Sequence, residues 1–308
     1  VSINRANLEY SGSNLSTIFA QKKNIVNINF LNMLVEVFRF NRNAEKDKEK
    51  YPDHTIEDYL QTKKYSEYFK YNHLYPMAAS IWSSSLDNIK GYPFSRFIDF
   101  FSNHGLLKIF NRPKWRTVLN GSRTYVDEVL KLKNLNKFKN CSPRVTKISD
   151  KKIYLSFNGK TRQYDHLIIA VHSDQVKDLI KLDKATQNLF LQINYKKNIV
   201  YLHSDESLMP KLKKVWSSWN YLDNGEKEND LTVTYWMNKL QKINTKKNIF
   251  VSLNPSRHPE KKKIFKKINY EHPIFNFKTF KNQKKIEALQ GKKNIWFCGA
   301  YLGYGFHE

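Results

Sequence analysis

The stretch Trp296-Phe297-Cys298-Gly299-Ala300-Tyr301-Leu302-Gly303-Tyr304-Gly305-Phe306-His307-Glu308 decides how the rest of the chain is read. An apolar run, Ile295 to Cys298, reads as a short strand and leads straight into Gly299, Gly303 and Gly305. Glycine after a strand lets backbone come close to another group, because no Cβ stands in the way. In nucleotide-binding α/β folds that group is often a phosphate or the edge of a bound ring, and a helix N-terminus follows. Glu308 is the last residue here, at the point where such a helix is expected to begin. The stretch therefore reads as half of a site.

A chain of 308 residues has room for one large domain or two modest ones, and 40% hydrophobic residues are ample for a core. No apolar run reaches the ~18 residues of a membrane span. No signal-peptide pattern is present, and a start at Val1 suits a fragment as well as a processed protein. The net charge is +25. Such a charge suggests nucleic acid or an anionic membrane surface. Compositional drift is the simpler account, since Lys, Asn, Ile, Phe and Tyr are abundant together, as in an AT-rich coding sequence. The lysines are spread as pairs, such as Lys22-Lys23 and Lys196-Lys197, and only Lys261 to Lys263 with Lys266-Lys267 is denser. Cys141 and Cys298 are far apart, which indicates neither a disulfide framework nor a zinc site and sets a reduced, cytoplasmic compartment as the expectation.

Several elements are legible along the chain. Apolar spacing predicts helices over Leu15–Gln21 and Phe30–Asn43, followed by a charged, solvated segment from Ala44 to Lys50. Thr55-x-x-Asp58 has the form of a capping box. Tyr75 to Trp82 reads as a buried helix. Pro93 to Asn103 reads as a helix with Phe94, Phe97, Ile98 and Phe101 on one face and Gly105 as its stop. Trp115 to Leu119 is expected to be a strand, with Ser122 capping the helix after it. Val145–Ser149 and Ile153–Phe157 are expected strands, with a turn at Asn158-Gly159. His166 to Val171 is expected to be a buried strand, with Ser173 or Asp174 capping the next helix. From about Asn198 the pattern turns strand-like: Ile199–Leu202, Leu231–Met237, Ile249–Leu253 and Ile264–Tyr270. Alternation within Leu231–Met237 points to an antiparallel sheet with one covered face. Phe277–Gln290 reads as a helix. The order fits a two-domain protein with interleaved segments.

The familiar catalytic signatures are missing. No histidine pair has metal-ligand spacing. Gly121-Ser122-Arg123 lacks the second glycine of a nucleophile elbow. Neither a Walker loop nor GxGxxG occurs. No acid–base pair can be assigned from spacing.

Three stretches together suggest a family. They are His104-Gly105-Leu106-Leu107 with Arg112-Pro113-x-Trp115-Arg116-Thr117-Val118 and Gly121-Ser122-Arg123; Val171-His172-Ser173-Asp174-Gln175; and Cys298-Gly299-Ala300-x-x-Gly303-Tyr304-Gly305-Phe306-His307-Glu308. Trp216-x-Ser218-Trp219-Asn220-Tyr221 and Val233-Thr234-Tyr235-Trp236-Met237-Asn238 add to them. Over essentially its whole length the chain resembles bacterial FAD-binding proteins of the flavin-containing amine oxidase superfamily, whose genes commonly lie beside cyclopropane-fatty-acid synthase genes.

The resemblance implies a mixed α/β (α+β) two-domain flavoprotein of amine-oxidase type. It implies a partial, Rossmann-like FAD-binding domain over 115–185 and 291–308. Residues 1–114 would form the helical part, and 186–290 the antiparallel-sheet part, of a substrate domain covering the flavin. The family's strand–GxGxxG–helix opening is expected ahead of Val1, and an Asp-Gly and helix after Glu308, so the chain is expected to be a piece clipped at both ends. Val145 would offer backbone to the adenine. Ala170 to His172 would pass under the dinucleotide. Gly299, Ala300, Gly305, Phe306 and His307 would approach the flavin, with Trp115 and Ser122 as neighbours of the ring. Trp219, Tyr221, Tyr235 and Trp236 are candidates for substrate-pocket walls, and core packing is the plainer role for each. The expected activity is hydride transfer between FAD and an apolar, fatty-acid-derived substrate, placing the chain in lipid metabolism. Three alternatives stay open: a truncated remnant without bound flavin, a Lys-rich RNA or membrane-surface binder, and amine oxidation. No specific nucleic-acid partner is expected, and peripheral contact with a membrane is allowed.

Overall fold

The computed structural model describes residues 1–3, 6–109, 111–149, 152–223 and 232–306. Its strands, in chain order, are β1 (Ser2–Ile3), β2 (Leu8–Glu9), β3 (Arg144–Ile148), β4 (Ile153–Phe157), β5 (Lys160–Tyr164), β6 (Leu167–Ile169), β7 (Tyr195–His203), β8 (Trp219–Asp223), β9 (Thr232–Trp236), β10 (Phe250–Leu253), β11 (Ile264–Pro273) and β12 (Ile295–Phe297). The chain divides into two compact units, Val1–Val126 with Lys197–His272, and Asp127–Lys196 with Pro273–Glu308. These boundaries differ from the expected ones at 115–126, 186–196 and 273–290. The last difference has a packing cause. The helix Phe277–Glu287 places Ile286, fully buried, in a core with Phe190, Ile295 and Phe297 of the second unit.

In the first unit, the helix Ile28–Asp47 starts where Asn27 accepts the Phe30 N–H at 3.1 Å. It runs beyond the expected Asn43 because Ala44 and Asp47 are buried. Asp47 is no solvated charge: it accepts from the Tyr59 hydroxyl at 3.0 Å and pairs with Lys63 at 3.0 Å. The helix Ile56–Thr62 begins with the expected capping box, Thr55 and Asp58 bonding each other's backbone reciprocally. Tyr75–Trp82 and Phe94–Asn103 also form as expected, and Gly105 follows the latter with φ +65°. A Cβ at Gly105 would lie 2.6 Å from Pro113 Cδ, so glycine is required there twice over. Aromatic rings fill this helical core, with Tyr59 stacked on Phe94 at 3.7 Å and Phe97 on Phe101 at 4.1 Å. Such pairs contribute about 0.5–1.5 kcal/mol each beyond the area they bury.

The seven-stranded sheet of this unit runs β11-β7-β10-β9-β8-β1-β2. β7 to β10 pair antiparallel, whereas β1 joins β8 in parallel, Ser2 opposite Leu222. The β1–β2 hairpin is fixed by Glu9, whose buried carboxylate accepts from the Lys211 and Leu212 N–H groups at 2.8 and 2.9 Å. Trp219 lies opposite Tyr235 and Tyr221 opposite Val233, so these side chains share one face. Asn220, Thr234, Trp236 and Ser252 occupy the other.

In the second unit, β3, β4 and β5 form an antiparallel sheet. Asn158 (φ +50°) and Gly159 (φ +71°) make the two-residue turn between β4 and β5. β6 and β12 pair in parallel, with Leu167, Ile168 and Ile169 opposite Ile295, Trp296 and Phe297. Ile169, Ile295 and Phe297 point into the core, while Ile168 is 66% exposed and Trp296 42%. The strand expected to be buried, His166 to Val171, is therefore buried on one face only, and its ladder spans Leu167–Ile169.

Two further expectations are corrected. Trp115–Leu119 forms no strand, and Trp115 and Leu119 stand exposed. Neither Ser173 nor Asp174 caps a helix: Ser173–Gln175 is a 3-10 turn, and the helix Val176–Leu179 that follows has no side-chain cap.

Candidate functional site

β6 and β12 deliver their C-terminal ends side by side. The Cys298 N–H donates to the Ile169 carbonyl at 3.0 Å, one residue beyond the last ladder pair. From there Ala170-Val171-His172 and Gly299-Ala300 leave adjacent strand ends, the position at which open α/β sheets hold ligands. Cys298, Gly299, Ala300 and Ala170 are all exposed.

Gly299 has φ +152°, a conformation open to glycine. A Cβ there would lie 2.8 Å from Tyr301 Cε1 and 3.7 Å from the Val171 carbonyl oxygen. Ala300–Leu302 is a 3-10 turn, closed by Leu302 N–H to Gly299 O at 3.0 Å and Gly305 N–H to Ala300 O at 3.1 Å. Gln283, from the helix Phe277–Glu287, donates through Nε2 to the carbonyls of Tyr301 and Gly303 at 2.9 and 2.7 Å. Gly305 has φ +98°, and a Cβ on it would meet Phe275 Cε2 at 2.8 Å. At both glycines the space nearest the missing Cβ is filled by an aromatic ring of the chain itself. Phe306 is half-buried, and His307 lies outside the described residues. Val145, at the bulge in β3, packs against the core of the same unit.

The His172 ring stacks on Tyr195 at 4.5 Å, and the Tyr195 hydroxyl accepts the Ser173 N–H at 2.9 Å. Around this pair four buried side-chain atoms lack a protein partner: His172 Nδ1, Ser173 Oγ, Asp174 Oδ1 and the Tyr301 hydroxyl. Burial, with Tyr195 and Cys298 adding, pushes the Tyr301 phenol above its ordinary range, so its hydroxyl stays protonated. A buried polar atom without a partner costs about 1–3 kcal/mol, and satisfied neighbours are the rule. Hydroxyl donors and an imidazole at adjoining strand ends suit a ligand rich in hydroxyl and carbonyl oxygens. A dinucleotide carries such oxygens.

The aromatic candidates lie in the first unit. Trp219 meets Tyr235 edge to face at 5.6 Å, and buried Tyr221 shares their face. Burial raises the Tyr235 pKa against the opposing effect of a hydrogen bond with Ser83. Ser83 sits at φ +50°, where the apolar helix Tyr75–Trp82 ends. Trp236 does not join them. It faces the other side, donating its Nε1–H to Asn248 Oδ1 at 3.0 Å and packing 5.4 Å from Trp216. Trp115 stacks on His104 at 5.9 Å, and Ser122 immediately precedes the helix Arg123–Val129.

One arrangement escaped the sequence. Fully buried His203 accepts the Asp205 N–H on Nδ1 at 3.0 Å, which leaves its Nε2–H to donate to Ser252 Oγ at 2.8 Å. Ser252 is in turn 2.6 Å from Thr234 Oγ1. Burial lowers the His203 pKa to about 4, with Asp205 opposing, so the ring is neutral. Its sequence signal is alternation with Tyr201 in a strand that carries Val200 and Leu202 on the other face. Among the described residues, no cluster of His, Cys, Asp or Glu could hold a metal ion, and no helix is long and apolar enough to cross a membrane.

The chain shares its fold with several solved structures. Among solved structures the chain is similar to a CLA-producing fatty acid isomerase from P. acnes, with TM-score 0.63 and 13% identity over 91% of this chain and 72% of that one. It is similar to cyclohexylamine oxidase from Brevibacterium oxydans IH-35A, with TM-score 0.56 and 9% identity over 89% and 70% of the two chains. A double mutant of putrescine oxidase gives TM-score 0.55 and 10% identity over 88% and 70%. At these identities the likeness is one of fold. No protein-family model and no curated protein sequence matches the chain.

Proposed function

We propose that the protein is an FAD-dependent oxidoreductase acting on an apolar, acyl-chain-like substrate, with the second unit holding the cofactor and the first the substrate. The observation that carries this reading is the pairing of strand ends through Cys298 N–H and Ile169 O, which brings Ala170 to His172 and Gly299-Ala300 to one edge. The likeness of fold to a fatty acid isomerase supports the choice of substrate class.

Bound FAD supplies hydride chemistry. The chain's own residues bind and orient. Gly299 and Gly305 let the turn close over Tyr301 and Phe275, which sets the course of the backbone that approaches the ring. The Tyr301 and Ser173 hydroxyls donate to its polar edge, and Asp174 accepts from its hydroxyls. Trp219, Tyr221 and Tyr235 offer an apolar wall that excludes water, and Tyr235 remains a neutral phenol there. Val145 contributes backbone near the adenine end.

The test is a fluorescence titration of the full chain with FAD, repeated on Ser173→Ala and Tyr301→Phe. Saturable binding is expected, with each substitution weakening it about three- to tenfold, the equivalent of one hydrogen bond. Flavin fluorescence unchanged by excess protein overturns the reading and favours a chain that holds no flavin.

A further inference from the structure

The helix Ile28–Asp47 is apolar on two sides. Its inner side buries Phe30, Met33, Phe40 and Ala44. Its outer side exposes Ile28, Leu31, Val35 and Phe38, spaced as one helical stripe, with Val35 66% exposed. Exposed Ile25 and Val26, the latter 80% exposed, extend the stripe ahead of the helix. An outward helical face ordinarily carries charge. Here Arg39 beside the stripe is tied to the Lys64 carbonyl at 3.3 Å and lies over the Tyr65 ring, and the other charge stands at the two ends. Exposed Lys22 and Lys23 precede it, and exposed Arg42 and Lys46 follow Phe38 one and two turns on. The carboxylates of the helix are taken up elsewhere. Glu36 accepts from the Ser66 N–H at 2.8 Å and from the Ser66 hydroxyl, Glu45 accepts from Ser102 Oγ at 2.8 Å, and Asp47 is buried.

We propose that this stripe seats the protein on an anionic phospholipid surface. Ile28, Leu31, Val35 and Phe38, with Val26, enter the acyl boundary, while Lys22, Lys23, Arg42 and Lys46 meet the headgroups. An apolar stripe lying in the interface with cations at headgroup level is the arrangement of monotopic helices. The net charge of +25 complements an anionic surface and disfavours a second copy of this chain as the occupant. The inference stands apart from the flavin reading, since vesicle binding needs no redox chemistry.

The test is flotation of the full chain with vesicles of phosphatidylcholine alone and of phosphatidylcholine mixed with phosphatidylglycerol. Wild type is expected to float with the mixed vesicles only. The double substitution Val35→Ser and Phe38→Ser leaves the charge unchanged and is expected to weaken partitioning about tenfold or more. Both positions are exposed, so the circular-dichroism melt should match wild type. Arg42→Gln with Lys46→Gln keeps the stripe and is expected to weaken binding and flatten its salt dependence. Three results overturn the proposal: no flotation of wild type, equal flotation of the serine variant, or a dimer that the serine variant dissociates. The second assigns binding to diffuse lysine charge, and the third assigns the stripe to self-association.

Discussion

Cys298 and Ile169 are joined by a backbone hydrogen bond of 3.0 Å between the ends of two parallel strands. The bond lies just beyond the pairing of Phe297 with Ile169, so the strands stay in register up to the point where both turn away. The glycine turn leaves this point on one side, and His172 and Ser173 on the other.

Gly299 should tolerate no side chain. An alanine Cβ would lie 2.8 Å from the ring of buried Tyr301, at φ +152°. Gly299→Ala should cost roughly 1–3 kcal/mol through strain and displacement of the ring. Urea unfolding measures it, and a variant as stable as wild type would show that the turn is not held as described.

His203 should make stability depend on pH. Its folded pKa of about 4 lies below the ordinary 6.5, so the unfolded state binds the proton more readily between those values. The contribution is fully present above pH 6.5 and is lost as pH falls towards 4. The shift corresponds to roughly 3 kcal/mol at most. His73, whose pKa burial also lowers to about 4, acts in the same window. His203→Gln should therefore be less stable than wild type at neutral pH yet fall less steeply as acid is added. Parallel stability curves would sink the assignment.

Ile286 should report on the second unit. It is fully buried against Phe297 and Phe190. Ile286→Ala should destabilise that unit by about 2–5 kcal/mol. Limited proteolysis should then cut first within 127–196 or 273–308, and first cuts within 197–272 would contradict the observed boundary.

What the sequence made legible was mostly local. The Thr55–Asp58 box, the Pro93 to Gly105 helix with its stop and the Asn158-Gly159 turn each depend on neighbours a few residues away, and each formed. Readings that needed distant partners fared worse. Trp115–Leu119 has strand-like residues but pairs with no strand among the described residues. β1 and β2 are only two residues each, yet they join the sheet because Ile3 and Leu8 are buried and Glu9 finds two N–H groups some two hundred residues away. The helix Ile28–Asp47 runs on past Asn43 because Asp47 meets Tyr59 and Lys63. At the site, the glycine turn was legible from composition alone. Tyr235 and Trp236 were both candidates for one pocket wall, yet the alternation legible in Leu231–Met237 sends them to opposite faces. The partnerless atoms around Tyr195 were not legible, because they arise from three segments meeting.

Tyr235 ties its sheet to the helix Tyr75–Trp82 through Ser83. Tyr235→Phe should cost about 0.5–1.5 kcal/mol for the lost hydrogen bond. It should also leave Trp219 emission nearly unchanged, since the edge-to-face ring contact survives. A large red shift would mean that the hydroxyl, rather than ring packing, holds the aromatic face together.

The most direct test of the cofactor site is amide hydrogen exchange on the full chain with and without FAD. The account predicts protection concentrated at Ala170 to Ser173 and Gly299 to Gly303, the two segments leaving the joined strand ends. Saturable FAD binding with protection elsewhere, and none in these segments, would contradict it.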